Sequence, residues 1–271
     1  MKLTEAIEFT TQVRRAWKPT AKGYKTAMIN SKHCVDVLGD VDVEKIDAMS
    51  FINIQECLTA EGKTPATVNR ITSALSTVLT VMKQFNHITH KPGFSNLKEP
   101  RGKDVFYTDE EVEQMLLASD VVGGEIKDII LFASKTGARR GEIEDLQWSD
   151  VNLSKGELTF IDTKTGEDRI LPLVGSLRDL VERLHSERTG ESVFDYNGAK
   201  ILYELRKVQR IARVSEEKCF HTLRHTATSN LWKKGANLVQ IMDTLGHRQS
   251  ATTLRYSHAG LEGKAEALAL L

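Results

Sequence analysis

The chain has 271 residues, 40% of them apolar, and its 37 Lys and Arg balance 37 Asp and Glu for a formal net charge of zero. That length suits two ordinary domains or one large one, with enough apolar side chains for a sizeable core. No uncharged apolar run reaches bilayer length, acidic residues interrupt the N-terminus where a signal peptide would be apolar, and net charge alone points to no nucleic-acid partner.

The first hundred residues read as helices. Helices are expected near 3–16, 20–38 and 47–61, with Gly39 and Gly62 as stops. Thr64-Pro65 supplies an N-cap and a first-turn proline. Val68, Ile71, Leu75, Val78, Leu79 and Met82 then recur at helical spacing. Gln55, Lys63 and Arg70 are candidates for a polar binding surface beside that stripe. Basic residues exceed acidic ones over the first 103 positions, and the remainder reverses the excess. Prolines, glycines and basic residues between His87 and Asp104 mark a linker. The expected division is a helical domain over 1–97, a linker over 98–103 and a second domain over 104–271.

The second part is mostly helical with one β interruption. Thr108 and Glu111 have capping-box spacing at a new helix start. Residues 157–161 and 169–171 alternate and predict an antiparallel hairpin, with Gly166 in the turn and Lys164 near its tip. Helices are expected near 175–187, 198–213, 222–234, 237–245 and 250–258, with Gly235 and Gly246 as C-terminal stops. Cys34, Cys57 and Cys219 are too scattered for a disulfide framework and read as packed thiols in a reducing compartment.

The residues with chemistry to offer are spaced through this second part. Arg139 and Glu142 follow Thr136-Gly137-Ala138; Lys164 sits in the hairpin. His221, Arg224 and His225 fall at i, i+3 and i+4 and share one helical face. His247 follows Leu245-Gly246, and Tyr256 comes nine positions later. This set suits attack on a phosphodiester by a phenol oxygen. Arginine keeps its charge and offers a fork of donors, so Arg139 and Arg224 are the candidate clamp on the phosphate. A phenol has a pKa near 10, so only about one in a thousand is ionised at pH 7. Tyr256 therefore needs a proton acceptor, for which His221 is the candidate. The departing 5′ oxygen needs a donor, for which Lys164 is the candidate. His247 would hydrogen-bond the phosphate. Zinc held by His221, His225 and His247 is the competing reading, but the first pair lacks the glutamate of H-E-x-x-H, and Arg224 would set a positive charge beside the cation.

These boxes, in this order and at these gaps, resemble the tyrosine recombinase (phage integrase) family. Thr136 to Glu142 is similar to its first arginine box, Lys164 to its hairpin lysine, His221 to Arg224 to its H-x-x-R box, and His247 with Tyr256 to its last box. The resemblance implies a mainly α fold with a small antiparallel β-sheet: a SAM-like core-binding domain followed by a catalytic domain. It implies a site-specific DNA recombinase working through a 3′-phosphotyrosyl intermediate and a Holliday junction, with no cofactor and no metal. The catalytic residues would be Arg139, Lys164, His221, Arg224, His247 and Tyr256. The partners would be double-stranded DNA, further copies of the chain in a tetramer, and accessory DNA-bending or directionality factors. The chain would act in the cytoplasm, at the nucleoid of a bacterial host, in integration or excision of phage or other mobile DNA. An arm-binding domain ahead of residue 1 is not expected, and the tail at 261–271 would dock on a neighbouring protomer. A type IB topoisomerase-like enzyme and a non-catalytic DNA-binding regulator of the same fold are the alternatives.

Overall fold

The computed structural model of the chain describes residues 1–100, 105–161, 168–247 and 249–254. The hairpin tip with Lys164 and Gly166, Tyr256 and the 261–271 tail therefore lie outside the described residues. The chain divides into two compact units, Met1–Gly102 and Lys103–Leu271.

The first unit packs α1 (Leu3–Val13), α2 (Tyr24–Leu38), α3 (Ala48–Ala60) and α4 (Pro65–Gln84). Helix α4 is its spine. The Thr64 hydroxyl accepts from the Thr67 N–H at 3.3 Å and Pro65 fills the first turn, so the helix starts where its cap residues place it. Its Val68, Ile71, Leu75, Val78, Leu79 and Met82 stripe is fully buried against Phe51, Ile54 and Leu58 of α3 and Cys34 of α2. The first two helices are shorter than expected. Arg14 turns extended, and a 3-10 turn over Arg15–Trp17 buries Trp17, so tertiary packing overrides helix propensity there. Only Cys34 is packed, and burial pushes its thiol up to about 12. Cys57 and Cys219 are exposed, contrary to the expectation for all three.

The segment after α4 is pinned to this unit through residue 99. Ile88 is buried and Phe94 stacks on Phe51 at 4.3 Å. The Asn69 side chain pairs with both backbone groups of Leu97, at 2.9 and 2.8 Å, and donates to Glu99 at 2.8 Å. Gln55 donates to the Ser95 carbonyl at 2.7 Å, so that side chain holds the segment in place.

The second unit contains α5 (Asp109–Val122), α6 (Ile126–Thr136), α7 (Arg140–Glu144), the strands β1 (Val151–Asn152), β2 (Glu157–Phe160) and β3 (Arg169–Pro172), then α8 (Gly175–Ser186), α9 (Gly198–Ile211), α10 (His221–Lys233), α11 (Leu238–Leu245) and α12 (Ser250–Leu254). Thr108 and Glu111 form the expected capping box, at 3.2 and 2.8 Å. The sheet is antiparallel in the order β1-β2-β3. Strand β1 was not expected; two residues are too short to show alternation. Phe132 of α6, Phe160 of β2 and Phe194 meet edge to face in the core. Tyr107 is buried ahead of α5. Its N–H donates to Thr226 of α10 at 2.8 Å, and its hydroxyl donates to the Lys218 carbonyl at 3.2 Å. The start of this unit is thereby anchored to the helix that carries His221 and Arg224. Among the described residues no helix is long and apolar enough to cross a membrane.

Substituting Asn69 by Ala removes three part-buried hydrogen bonds and frees residues 88–99. Urea unfolding should show a loss of about 1–3 kcal/mol, and trypsin should cut faster after Lys98. An unchanged midpoint with unchanged cleavage would contradict this role.

Candidate active site

Helix α11 ends at Leu245 with Gly246 in the left-handed conformation, φ 65° and ψ 48°. The last carbonyls of a helix have no partner within it. Here three consecutive ones each accept from a different arginine. The Thr244 carbonyl takes Nη1 of Arg169 at 2.9 Å, the Leu245 carbonyl takes Nη2 of Arg224, and the Gly246 carbonyl takes Nη2 of Arg139 at 3.3 Å. These arginines come from the start of β3, the first turn of α10 and the turn between α6 and α7.

Arg224 is the most deeply set, with 2% exposure. Its Nη1 also donates to the Gly137 carbonyl at 2.8 Å, so its guanidinium ties together the ends of α6 and α11. Gly137 caps α6 at φ 61°, and a Cβ there would sit 2.2 Å from Leu245 Cδ2. No other residue allows both that backbone conformation and that approach. Arg139 is more open. Its backbone N–H donates to Glu142 Oε2 at 2.8 Å, and its guanidinium pairs with Glu142 Oε1. Two of its five N–H donors are engaged among the described residues.

His247 follows directly. Its Nδ1 lies 2.8 Å from the hydroxyl of Thr253, a buried residue of α12 whose carbonyl accepts from the Trp232 indole at 3.3 Å. Burial and then the nearby Arg224, Arg139, Arg169 and His221 push its imidazole down to about 4, so it is neutral at pH 7. His221 is exposed at the start of α10, and its ring meets that of His225 edge to face at 4.8 Å. No group of metal-ligating side chains gathers among the described residues.

Of the six expected site residues, Arg139, Arg224 and His247 come together at the end of α11. His221 is one turn of α10 away from Arg224, near enough for its charge to act on His247. Lys164 and Tyr256 lie outside the described residues. Sequence reasoning missed Arg169 and Thr253. Arg169 is 7% exposed, donates from Nη2 to Glu142 Oε2 at 2.8 Å, and stacks over Phe160 at 4.5 Å. The alternating pattern of β3 hid it: Arg169 and Leu171 face inward, and Ile170 is 60% exposed. Its one sequence signal was a charged residue in phase with Leu171 in the alternation.

The sequence profile of the phage integrase family matches residues 106–262, more than half of the chain. The chain belongs to the phage integrase family of tyrosine recombinases. It is 32% identical to the shufflon-specific DNA recombinase of Escherichia coli over 131 residues, 48% of this chain and 34% of that protein. It is 25% identical to the integrase of Haemophilus phage HP1 over 246 residues, 86% of this chain and 70% of the phage protein. The chain thus spans about a third of the first relative's length. The crystal structure of a lambda integrase tetramer bound to a Holliday junction has a TM-score of 0.78 at 19% identity, covering 94% of this chain and 77% of that one. At that identity the likeness is one of fold.

The site makes a prediction about pH. The folded pKa of His247 lies below its unfolded value of about 6.5. The unfolded state therefore binds the proton first as pH drops. The stability contributed by neutral His247 is present above pH 6.5 and is lost as pH falls through the folded value. NMR titration should find the imidazole neutral at pH 6, and His247→Asn should flatten the stability loss between pH 6.5 and 4. A resonance titrating at 6.5 or above would contradict the geometry.

Proposed function

We propose that this chain is a site-specific DNA recombinase that cleaves and rejoins duplex DNA through Tyr256, in integration or excision of phage or other mobile DNA. The observation that carries this reading is the gathering of Arg139, Arg224 and His247 at one helix end, where backbone carbonyls hold the arginines and the Thr253 hydroxyl holds the imidazole. In-line displacement at phosphorus leaves a protein little to do but position groups and neutralise charge. Arg139 and Arg224 would hold the non-bridging oxygens, where negative charge grows in the five-coordinate transition state.

Neutral His247 has one ring N–H to give. If Nδ1 accepts from the Thr253 hydroxyl, the proton sits on Nε2 and can be donated to the phosphate. Tyr256 Oη attacks phosphorus, with its proton passing to His221, and a phosphotyrosyl bond forms at the 3′ end. The P–O5′ bond breaks, and Lys164 gives a proton to the 5′ oxygen. One phosphoester replaces another, so no external energy source is required. Attack by a 5′-hydroxyl from a second duplex reverses the steps and joins the strands. In this reading residues 1–97 bind DNA, 98–103 link, and 104–271 catalyse. Four copies would hold two duplexes and exchange strands through a Holliday junction, the kind of DNA to which the lambda integrase tetramer is bound, with accessory DNA-bending or directionality factors as further partners. A reaction on chromosomal DNA would place the chain in the cytoplasm, at the nucleoid. Phosphate contacts would dominate the affinity and make it fall with salt.

The test is a nicked suicide duplex carrying the chain's own site, found by selection from the flanks of its gene. Wild type should form a covalent adduct at the 3′ phosphate and release a 5′-hydroxyl. Tyr256→Phe should bind the duplex and form none. An adduct that survives this substitution, or that maps to another residue, overturns the assignment.

A further inference from the structure

The steps above give Arg169 no task, yet its surroundings are as constrained as those of Arg224. It begins β3, immediately after the hairpin segment, and its side chain is 7% exposed. One arm of its fork donates to the Thr244 carbonyl at 2.9 Å and the other to Glu142 Oε2 at 2.8 Å, while its plane covers Phe160. Glu142, itself only 12% exposed, lies between two guanidiniums, with Oε1 on Arg139 and Oε2 on Arg169.

This arrangement bears on charge. A carboxylate paired with Arg139 alone would cancel the cation that a phosphate needs, and would itself be a poorly solvated anion. With Arg169 on its other oxygen, the set of Arg139, Glu142 and Arg169 keeps one positive charge. The fork also fixes geometry. A lysine could supply the charge but could not reach two acceptors at fixed angles while stacking on a ring. Because Thr244 is in the last turn of α11, the same side chain sets where Gly246 and His247 begin.

We propose that Arg169 is a positioning residue for the reaction: it balances Glu142 and holds the end of α11, so that Arg139 meets the scissile phosphate as an uncancelled cation. This rests on the recombinase reading above. Arg169 acts through Glu142 and the backbone and does not touch the DNA.

The experiment measures single-turnover adduct formation on the suicide duplex for wild type, Arg169→Gln, Arg169→Lys and the double variant Glu142→Gln, Arg169→Gln, alongside duplex affinity and thermal midpoint. Arg169→Gln should slow the adduct step by roughly 10–100-fold, with duplex affinity close to wild type. The double variant should be faster than Arg169→Gln alone, because the carboxylate that would then cancel Arg139 is gone; a purely structural role predicts that a second buried change makes matters worse. Where Arg169→Gln does not fold, Arg169→Lys carries the test. It should be slowed with its midpoint retained, and adding Glu142→Gln should not slow it further. Adduct formation by Arg169→Gln within about twofold of wild type, or a double variant no faster than the single, overturns the proposal. A wild-type chain that forms no adduct sinks the recombinase reading and this role with it. An active wild type with an equally active Arg169→Gln sinks only this role.

Discussion

A helix of eight residues, α11, ends with carbonyls that its own backbone cannot satisfy, and three arginines from elsewhere in the chain supply the donors. The rest of the second unit is arranged around that exchange. The partial negative charge of a helix C-terminus favours cations, and a neutral carbonyl accepts a hydrogen bond without cancelling a guanidinium's charge. An ordinary ion pair would neutralise each arginine. Among the described residues, one carboxylate, Glu142, enters this set, and it is shared between Arg139 and Arg169. Among the described residues, three guanidiniums and one carboxylate thus meet at one helix end, in a chain whose formal charge is zero.

Holding charges so deep restricts the backbone nearby. Gly137 and Gly246 both take left-handed conformations, and each offers its carbonyl to an arginine. Ala227 and Leu245 pack closely beneath, leaving Gly137 no room for a side chain. Burial, and then the same concentration of positive charge, keeps His247 neutral. A neutral imidazole can hand a hydrogen bond to a phosphate, and Thr253 fixes which ring nitrogen faces away from α12. Charge, backbone and ring orientation are thus set by one cluster of contacts.

Much of this was legible in the sequence. Helix α4 declares itself through Thr64, Pro65 and an unbroken apolar stripe, and α5 through its capping box, because caps and periodicity are local signals. The hairpin strands and the stops at Gly235 and Gly246 were legible for the same reason. The resemblance of their boxes to the tyrosine recombinase family set Arg139, Arg224 and His247 apart as a group. What escaped depends on packing between distant segments. Arg169 reads as a polar strand residue, and the alternation leaves open whether Ile170 or Leu171 marks the buried face. The register that pairs Arg169 with buried Phe160 decides for the Leu171 face, and the tertiary structure fixes that register. Trp17 ends the first helix early through a contact no local pattern announces. Exposed Cys57 and Cys219 depart from the general tendency of free cysteines to be buried.

The central proposal is that Arg139 and Arg224, fixed by the end of α11, would grip the phosphate that Tyr256 would attack. A crystal structure of the chain on its own recombination site, with vanadate bridging Tyr256 and the 5′ oxygen, tests this most directly. The account predicts both guanidiniums about 2.7–2.9 Å from equatorial vanadate oxygens, with Arg169 still on Glu142 and away from the metal oxide. Vanadate held by other side chains, with Arg139 or Arg224 out of reach, would contradict it.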